Sequence, residues 1–303
     1  MTAQQTFLAS LNAHADEIGR LLASLLSVEP LDGEIGRPDE LMMAMRHGAL
    51  NGGKRLRPWL VVESAALFGA TGPAIMRVAA SLECIHCYSL VHDDLPAMDD
   101  DDLRRGMPTV HKAFDEATAI LAGDSLLTIA FDILAAPETD LPDATRVALV
   151  SRLARAAGAG GMAGGQALDL AADRMQPDER GIITLQAMKT GALIRYACEA
   201  GAVAAGASST DVERLGAFGS AIGLAFQLAD DLLDLTAGED QLGKATGKDA
   251  AAGKATLAGL HGQDWARAQL QGLVDEAERV LAPYGDKAAL LVEAARFVAL
   301  RDH

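Results

Sequence analysis

Apolar residues recur at helical spacing along almost the whole chain. A first amphipathic helix is indicated by a series of apolar positions: Leu8, Leu11, Ile18, Leu21, Leu22 and Leu25. Three further helices are predicted to begin near Pro38, Pro58 and Pro73, because proline is favoured in the first turn of a helix. The pattern predicts additional helical segments over about 109–136, 143–171, 178–206, 209–236 and 262–300, with Gly, Pro and Asp clusters between them.

Strands are not indicated by this pattern. Alternation of polar and apolar residues is nowhere sustained over the roughly 4–8 residues that a strand needs. The segment 237–256, rich in Gly, Lys and Ala, is predicted to be a long polar loop. We find no repeat with a period of about 20–50 residues. The sequence therefore predicts an all-α fold with a single domain over residues 1–303.

Composition narrows the class of protein. The chain has 303 residues, is 50% apolar and carries a formal net charge of −16. The length and apolar content are ample for a buried core and exclude a disordered chain. A protein this acidic has no electrostatic footprint for a phosphate backbone, so we expect no nucleic-acid partner. Three cysteines (Cys84, Cys87 and Cys198) are too few for a disulfide scaffold in a chain of this length.

The cellular location of the protein is predicted from the lack of a signal sequence and of a membrane-spanning segment. Residues 1–10 lack the basic start and the apolar run of a secretory signal. The most apolar stretch, 120–137, contains Asp124 and Asp132, and no stretch reaches the ~18 uninterrupted apolar residues typical of a membrane span. We therefore expect a cytoplasmic protein with no membrane span and with reduced cysteines.

Two acidic motifs carry the candidate chemistry, DDLPAMD at 93–99 and DDLLD at 230–234, each after an apolar helical run. Residues four apart share a helix face, so Asp230 and Asp234 are predicted to project together with Asp231 beside them. Pro96 interrupts the first helix, so Asp99 is expected to return towards the start of its motif through a helix end. The candidate metal ligands are Asp93, Asp94, Asp99, Asp230, Asp231 and Asp234.

Carboxylates gathered at the mouth of an apolar bundle repel one another unless a cation joins them. Oxygen ligands without sulfur favour Mg²⁺, or alternatively Mn²⁺, over zinc. Several lysines lie within two residues of a glycine, which suits a phosphate site; among them are Lys54, Lys189, Lys244, Lys248 and Lys254. The alternative, two solvated acidic turns, would suit a single motif better than a pair. We therefore predict a metal-bridged diphosphate.

Six segments together resemble the trans-isoprenyl diphosphate synthases, most of all the bacterial farnesyl diphosphate synthases. They are GGKRLRP at 52–58, the first Asp motif with RRG at 104–106, GGQALD at 164–169, KTGAL at 189–193, FQ at 226–227 ahead of the second Asp motif, and GK at 243–244. The resemblance covers about residues 40–260. It implies an isoprenyl-synthase helical bundle around a deep central active-site cavity, and a homodimer.

The resemblance also implies an activity, the Mg²⁺-dependent condensation of isopentenyl diphosphate with dimethylallyl and geranyl diphosphate to give (2E,6E)-farnesyl diphosphate. In that family the two Asp motifs hold the allylic diphosphate through the metal. Residues expected to bind either substrate are Lys54, Arg57, His86, Arg104, Arg105, Lys189, Thr190, Gln227, Lys244 and Lys254. Of these, Lys54, Arg57, His86 and Arg105 are expected on isopentenyl diphosphate. Arg104, Lys189 and Lys254 are expected on the allylic diphosphate.

Catalytic roles follow from the same resemblance. The carbonyl of Lys189, the hydroxyl of Thr190 and the side chain of Gln227 are expected to stabilise the allylic cation, and Arg104 to hold the leaving diphosphate. Tyr88 and Ser89 lie one turn deeper on the helix of the first motif, with Tyr88 roughly 7 Å below it. The family places a bulky residue here as the floor of the product pocket, which implies a C15 product. The alternative is that Tyr88 is an ordinary core aromatic, which its spacing alone does not exclude.

Other functions are compatible with parts of this pattern. A geranyl diphosphate synthase making C10 would share every motif. A class I terpene cyclase also ionises diphosphates, but it needs neither the Lys54–Arg57 segment nor a second Asp-rich motif. A non-catalytic regulatory subunit would be expected to lack some of the six aspartates. Glu83 and His86 match half of a di-iron site, yet the chain has no second Glu-x-x-His segment.

Overall fold

The computed structural model describes residues 2–240 and 256–300. Its helices are α1 (Ala3–Leu25), α2 (Asp39–Leu50), α3 (Leu56–Ala66), α4 (Pro73–Asp93), α5 (Val110–Ala113), α6 (Glu116–Ala135), α7 (Asp143–Ala157), α8 (Met162–Met175), α9 (Glu179–Gln186), α10 (Ala192–Ala204), α11 (Ser209–Asp240), α12 (Leu257–His261), α13 (Gln263–Leu281) and α14 (Ala289–Ala299). A π-helical segment (Ala187–Gly191) joins α9 to α10, and a 3₁₀ segment (Ala282–Ala288) joins α13 to α14. Two short antiparallel strands, β1 (Leu103–Arg104) and β2 (Met107–Pro108), pair with each other.

The proline positions predict the starts of three helices well. Pro38 caps α2, Pro58 lies in the first turn of α3, and Pro73 is the first residue of α4. Proline suits these positions because the first N–H groups of a helix have no intrahelical partner. The all-α prediction is confirmed, with the two-residue hairpin as the one sheet among the described residues.

Four of the predicted helical segments are interrupted. The segment 109–136 divides at Phe114, where the backbone leaves the helical region, and Asp115 then caps α6 by accepting from the N–H of Thr118 at 2.7 Å. The segment 143–171 divides at Gly158–Gly161. The segment 178–206 contains the π-helical turn, and 262–300 contains the 3₁₀ segment.

The prediction of a loop over 237–256 was wrong for its first residues. Helix α11 continues four residues past the predicted end, to Asp240. The remainder of that segment, 241–255, lies outside the described residues, and with it Lys244 and Lys254.

The core surrounds α4, which packs against α3 and α6, while α10 packs against α3 and α11. Its largest fully buried side chains include Trp59, Leu82, Ile85, Tyr196 and Phe218. A helix that is apolar all round belongs in the centre of a bundle. By length and composition, α4 and α6 could each cross a membrane, but most of α4 is buried in this core. Helix α6 is less covered.

Candidate active site

Two cavities meet at Arg57 and His86, which line both of them. The first, of about 370 Å³, is lined by Asp93, Lys189 and Thr190 together with apolar side chains, and we call it the aspartate cavity. The second, of about 550 Å³, has Lys54, Arg55 and Arg105 on its wall, and we call it the arginine cavity. The predicted isopentenyl-binding residues Lys54, Arg57, His86 and Arg105 therefore lie together in one cavity.

The wall of the arginine cavity is built on an unusual backbone. Gly52, Gly53 and Arg55 all have positive φ, and together they turn the chain into α3. Arg105 also has positive φ, in the two-residue turn of the β1–β2 hairpin. For a non-glycine residue this conformation costs of order 1–3 kcal/mol, and such strain is typical of functional sites.

Arg105 rests directly on the glycine turn. Its Nη1 donates to Oδ1 of Asn51 at 2.9 Å and to the carbonyl of Gly52. A Cβ on Gly53 would lie 2.5 Å from the Cζ of Arg105, and the positive φ of Gly53 is a backbone conformation that favours glycine. The turn therefore fixes one cation against the backbone that carries Lys54.

Arg57 and His86 form the boundary between the cavities. Nη1 of Arg57 lies 3.3 Å from Nε2 of His86. Burial, together with the positive charge of Arg57, holds the pKa of His86 well below its usual range, so the imidazole is neutral and can accept from the guanidinium. The buried Nε of Arg57 has no hydrogen-bond partner among the described residues. A half-buried guanidinium with a spare donor suits a phosphate oxygen.

An ion pair that the sequence analysis missed supports this wall. Arg55 and Glu83 are both buried and form a salt bridge, and Nη2 of Arg55 donates to the carbonyl of Ala49 at 2.6 Å. Glu83 therefore pairs with Arg55 of the glycine turn. This is a different partner from the iron of the di-iron alternative. The position of Arg55 inside the GGKR segment was the available signal. Lys54 lies exposed at the rim, with Nζ 5.5 Å from the ring centre of Phe297.

The first Asp motif curls back on itself at the end of α4. The N–H of Asp99 donates to the carbonyl of Asp93 at 2.8 Å, and the N–H of Asp100 donates to the carbonyl of Leu95 at 3.2 Å. Asp100 adopts positive φ to make this turn. The structure thus contains the return of Asp99 that Pro96 predicts.

The carboxylates of this motif are electrostatically crowded. Burial raises the pKa of Asp93 to about 6, with Asp99 and Asp94 adding to the shift and Lys189 opposing it. Asp94 is buried and accepts from Nε of Arg104 at 2.7 Å and from its Nη2 at 2.6 Å. Arg104, predicted to bind diphosphate, is therefore paired with a predicted metal ligand. Oxygen donors that resist ionisation fit a hard divalent cation, which would relieve their repulsion.

The described side chains do not complete a metal site by themselves. Within residues 2–240 and 256–300, no group of three or more His, Cys, Asp or Glu residues could hold a metal ion. The side chain of Asp234 lies outside this description. A metal held by the first motif would therefore draw further ligands from substrate or water, which is the usual arrangement for Mg²⁺.

Lys189 and Thr190 lie in the π-helical segment, a feature frequent at functional sites. The segment is packed between two glycines. A Cβ on Gly165 of α8 would lie 2.1 Å from the backbone N of Lys189, and one on Gly223 of α11 would lie 2.9 Å from Cα of Gly191. These close approaches explain why the GGQ segment needs its second glycine.

Polar contacts tie this segment to α8 and α11. Nζ of Lys189 pairs with Oδ2 of Asp169 at 2.8 Å. The hydroxyl of Thr190 donates to Oε1 of Gln227 at 3.1 Å, and Nε2 of Gln227 lies 3.3 Å from Oδ1 of Asp231. The buried Asp231 also accepts from Nε2 of Gln186 at 3.0 Å. Thr190, Gln227 and Asp231 are thus brought together.

The two described carboxylates of the second motif have different surroundings. Asp231 is engaged by two amides. Asp230 is half-buried and close enough to Arg57 for its negative charge to act on the pKa of that guanidinium. The first carboxylate of the motif is therefore the one near the boundary between the cavities.

Tyr88 and Ser89 both line the aspartate cavity. The ring of Tyr88 lies 5.8 Å from that of His92, edge to face, and its hydroxyl has a raised pKa because of burial and the charge of Asp93. The hydroxyl of Ser89 donates to the carbonyl of His86 at 2.9 Å. Tyr88 is therefore part of the cavity wall as well as of the core beside it.

Comparison with known proteins shows the family to which the chain belongs. Residues 38–281 match the family model for polyprenyl synthetase, so the chain belongs to the polyprenyl synthetase family. Farnesyl diphosphate synthase of Escherichia coli is 48% identical over 241 residues, covering 78% of this chain and 80% of that one. The farnesyl diphosphate synthase of Bacillus subtilis is 41% identical over 271 residues, covering 89% of this chain and 92% of that one.

A solved structure has the same fold. The crystal structure of an FPP/GFPP synthase from Zymomonas mobilis, without ligand, superposes with a TM-score of 0.86 at 44% identity. The match covers 98% of this chain and 99% of that one. The helical bundle expected from the resemblance is thereby confirmed.

Proposed function

We propose that this protein is a Mg²⁺-dependent farnesyl diphosphate synthase, a short-chain trans-prenyltransferase built as a single domain. It condenses isopentenyl diphosphate with dimethylallyl and then geranyl diphosphate. One observation carries the proposal: the cavity lined by Asp93 of the first Asp motif and the cavity lined by Lys54, Arg55 and Arg105 share Arg57 and His86 at their boundary. Two prenyl diphosphates bound in such neighbouring cavities could react with each other through their hydrocarbon parts. The farnesyl diphosphate synthases among its relatives support the same activity.

The arginine cavity suits isopentenyl diphosphate. Its cations can bind phosphate oxygens through charge-assisted hydrogen bonds without a metal. The spare buried donor of Arg57 and the exposed ammonium of Lys54 provide contacts at two depths. Leu11, Phe226 and Phe297 add apolar surface for the hydrocarbon part.

The aspartate cavity suits the allylic diphosphate. Asp93, Asp94 and Asp99 from the end of α4 would hold the metal on one side, and Asp230, Asp231 and Asp234 of α11 on the other. When bound, Mg²⁺ neutralises charge on the leaving diphosphate. Arg104 and Lys189, each now paired with a carboxylate, can exchange that partner for a phosphate oxygen of similar charge. Lys244 and Lys254 are proposed to join them.

The chain's own residues then protect the reacting carbon. The apolar wall of the aspartate cavity excludes water that would capture an allylic cation. The carbonyl of Lys189, the hydroxyl of Thr190 and the amide of Gln227 present oxygen atoms that can stabilise positive charge. The departing diphosphate is proposed to take the proton lost after the new C–C bond forms.

The decisive experiment is incubation of the purified protein with geranyl diphosphate, isopentenyl diphosphate and Mg²⁺, followed by measurement of product chain length. We expect a C15 diphosphate, and no product when the metal is chelated. A cyclic hydrocarbon would identify a cyclase, and absence of condensation would overturn the proposal. Product that stops at C10 when dimethylallyl diphosphate is the primer would indicate a geranyl diphosphate synthase.

We further propose a cytoplasmic homodimer. Helix α6 exposes Ile120 and Leu121, and Val147 of α7 is also exposed. Apolar side chains concentrated on a long, partly covered helix are typical of a surface that a second copy covers. Light scattering should give twice the monomer mass, and Leu121→Glu should reduce it. A monomeric wild-type protein at micromolar concentration would contradict this.

A further inference from the structure

Gln166 lies on the face of α8 that lines the aspartate cavity. The cavity-lining positions around it on that helix are apolar: Met162, Ala163, Ala167 and Leu170. Gln166 is only 8% exposed. Neither its Oε1 nor its Nε2 has a hydrogen-bond partner in the part of the chain that the structure describes. An amide with both polar atoms unpaired is thus held in the cavity wall.

Such an arrangement is unfavourable in a protein without substrate. Leaving a buried polar group unpaired costs about 1–3 kcal/mol. The other amide near the reacting end is satisfied, because Gln227 accepts from Thr190 and lies within reach of Asp231. Methionine at position 166 would fill a similar volume without this cost. The amide therefore points to a partner that arrives with the ligand.

The position of Gln166 relative to the π-helical segment is fixed by its neighbour, Gly165. Gly165 is pressed against the backbone of Lys189, so the adjacent amide stays beside the π-helical segment. Lys189 and Thr190 line the same cavity as Gln166 and Asp93. A substrate bound between Asp93 and Lys189 in this cavity would therefore have Gln166 in its wall.

We propose that the amide oxygen of Gln166 stabilises the allylic cation that forms in this cavity, an inference that rests on the proposed function. When the C–O bond breaks, its electron pair leaves with the diphosphate and positive charge develops on the prenyl carbons. An amide oxygen has no electrostatic attraction to a neutral prenyl chain, but it attracts a carbocation. The stabilisation by Gln166 therefore increases as positive charge develops towards the transition state. Gln166 forms no covalent bond in this step. A carboxylate in its place could be alkylated.

The test compares Gln166→Met with wild-type enzyme loaded with Mg²⁺. We expect kcat to fall by at least about tenfold while KM for geranyl and isopentenyl diphosphate stays within about threefold. Two unreactive ligands separate charge from shape. The affinity for an ammonium analogue of the allylic cation, measured with inorganic diphosphate, should weaken at least about tenfold, and that for the neutral thiolo-diphosphate analogue should stay within about twofold.

Controls distinguish the possible failures. Gln271→Met makes the same change at an exposed position of α13 and should leave all these values unaltered. If Gln166→Met does not fold, Gln166→Leu takes its place in the comparison. Unchanged kcat, or equal weakening of both analogues, would overturn the role of Gln166. Failure of the wild-type protein to condense the substrates would instead overturn the proposed function.

Discussion

The N–H of Asp99 donates a 2.8 Å hydrogen bond to the carbonyl of Asp93, across the five residues between them. This bond closes the end of α4 and brings the Asp99 charge close enough to raise the pKa of Asp93. The backbone therefore holds like charges together, at a cost that only a cation or a proton removes. A geometry that opposes folding but suits a metal is typical of a functional site.

This cost predicts a pH-dependent stability. The folded-state pKa of Asp93, about 6, lies above the value of 3.8 for an unperturbed carboxyl, so the folded state binds the proton more tightly. The contribution of Asp93 to the free energy of unfolding therefore falls as pH rises from about 4 through 6. In metal-free protein, Asp93→Asn should raise the free energy of unfolding by about 1–2 kcal/mol at pH 7.5 and by much less near pH 4. Chemical denaturation in a chelator measures both values.

The matched control for this change is Asp102→Asn. Asp102 is exposed, and its hydrogen bond with Lys112 lowers the pKa of the carboxyl, so its loss should bring no stabilisation. Equal stability of Asp93→Asn and wild type at pH 7.5 would show that the Asp93 carboxylate is not strained. Turnover should be abolished in Asp93→Asn and retained in Asp102→Asn.

The side chain of Tyr88 is expected to limit the chain length of the product. Its ring occupies the wall of the aspartate cavity beneath Asp93, so Tyr88→Ala should make room for a further isoprene unit. We expect C20 diphosphate to appear at the expense of C15 when geranyl and excess isopentenyl diphosphate are supplied, with products separated by chromatography. Tyr88→Phe keeps the ring and should still give C15. An unchanged C15 product from Tyr88→Ala would make Tyr88 an ordinary core aromatic.

Replacing Gly165 tests whether the packing of α8 against the π-helical segment affects kcat. A methyl group there would lie 2.1 Å from the backbone N of Lys189, so α8 and the π-helical segment must move apart. Gly165→Ala should destabilise the protein by about 1–3 kcal/mol and lower kcat by more than about tenfold. Thermal unfolding and steady-state kinetics measure these effects.

Gly160→Ala provides the comparison. A methyl group at Gly160 meets no atom of the described residues within 4 Å, and the backbone there does not need glycine. We expect stability and kcat close to wild type. If Gly165→Ala behaved in the same way, close packing would not be what positions Lys189.

Helix starts were predictable because a proline acts through its own ring and N–H, which are local properties. The helix interruptions were not predictable, because they depend on backbone contacts that exist only in the folded chain. At Gly161, for example, a Cβ would lie 2.1 Å from the carbonyl of Ala156, a clash that no hydrophobic pattern records. The π-helical turn likewise depends on glycines supplied by α8 and α11.

The candidate site divides in the same way. The resemblance of its short motifs to a known family implied that Lys54, Arg57 and His86 act together with Arg105, and these four residues line one cavity. The motifs did not predict which side chains pair with each other. Arg104 pairs with Asp94 and Arg55 with Glu83, and each of these pairings is decided by how separate segments pack. Glu83 in particular had only a misleading local motif, because its partner is 28 residues away.

Replacing Arg57 tests which substrate binds to the side chains at the boundary between the two cavities. Arg57→Met keeps most of the buried volume but removes the charge and the spare donor that face a phosphate. KM for isopentenyl diphosphate should rise at least about tenfold, with KM for geranyl diphosphate within about threefold. Arg267→Met, at an exposed position of α13, should change neither. A larger rise for geranyl diphosphate would exchange the two proposed substrate cavities, because the half-buried guanidinium would then serve the allylic side.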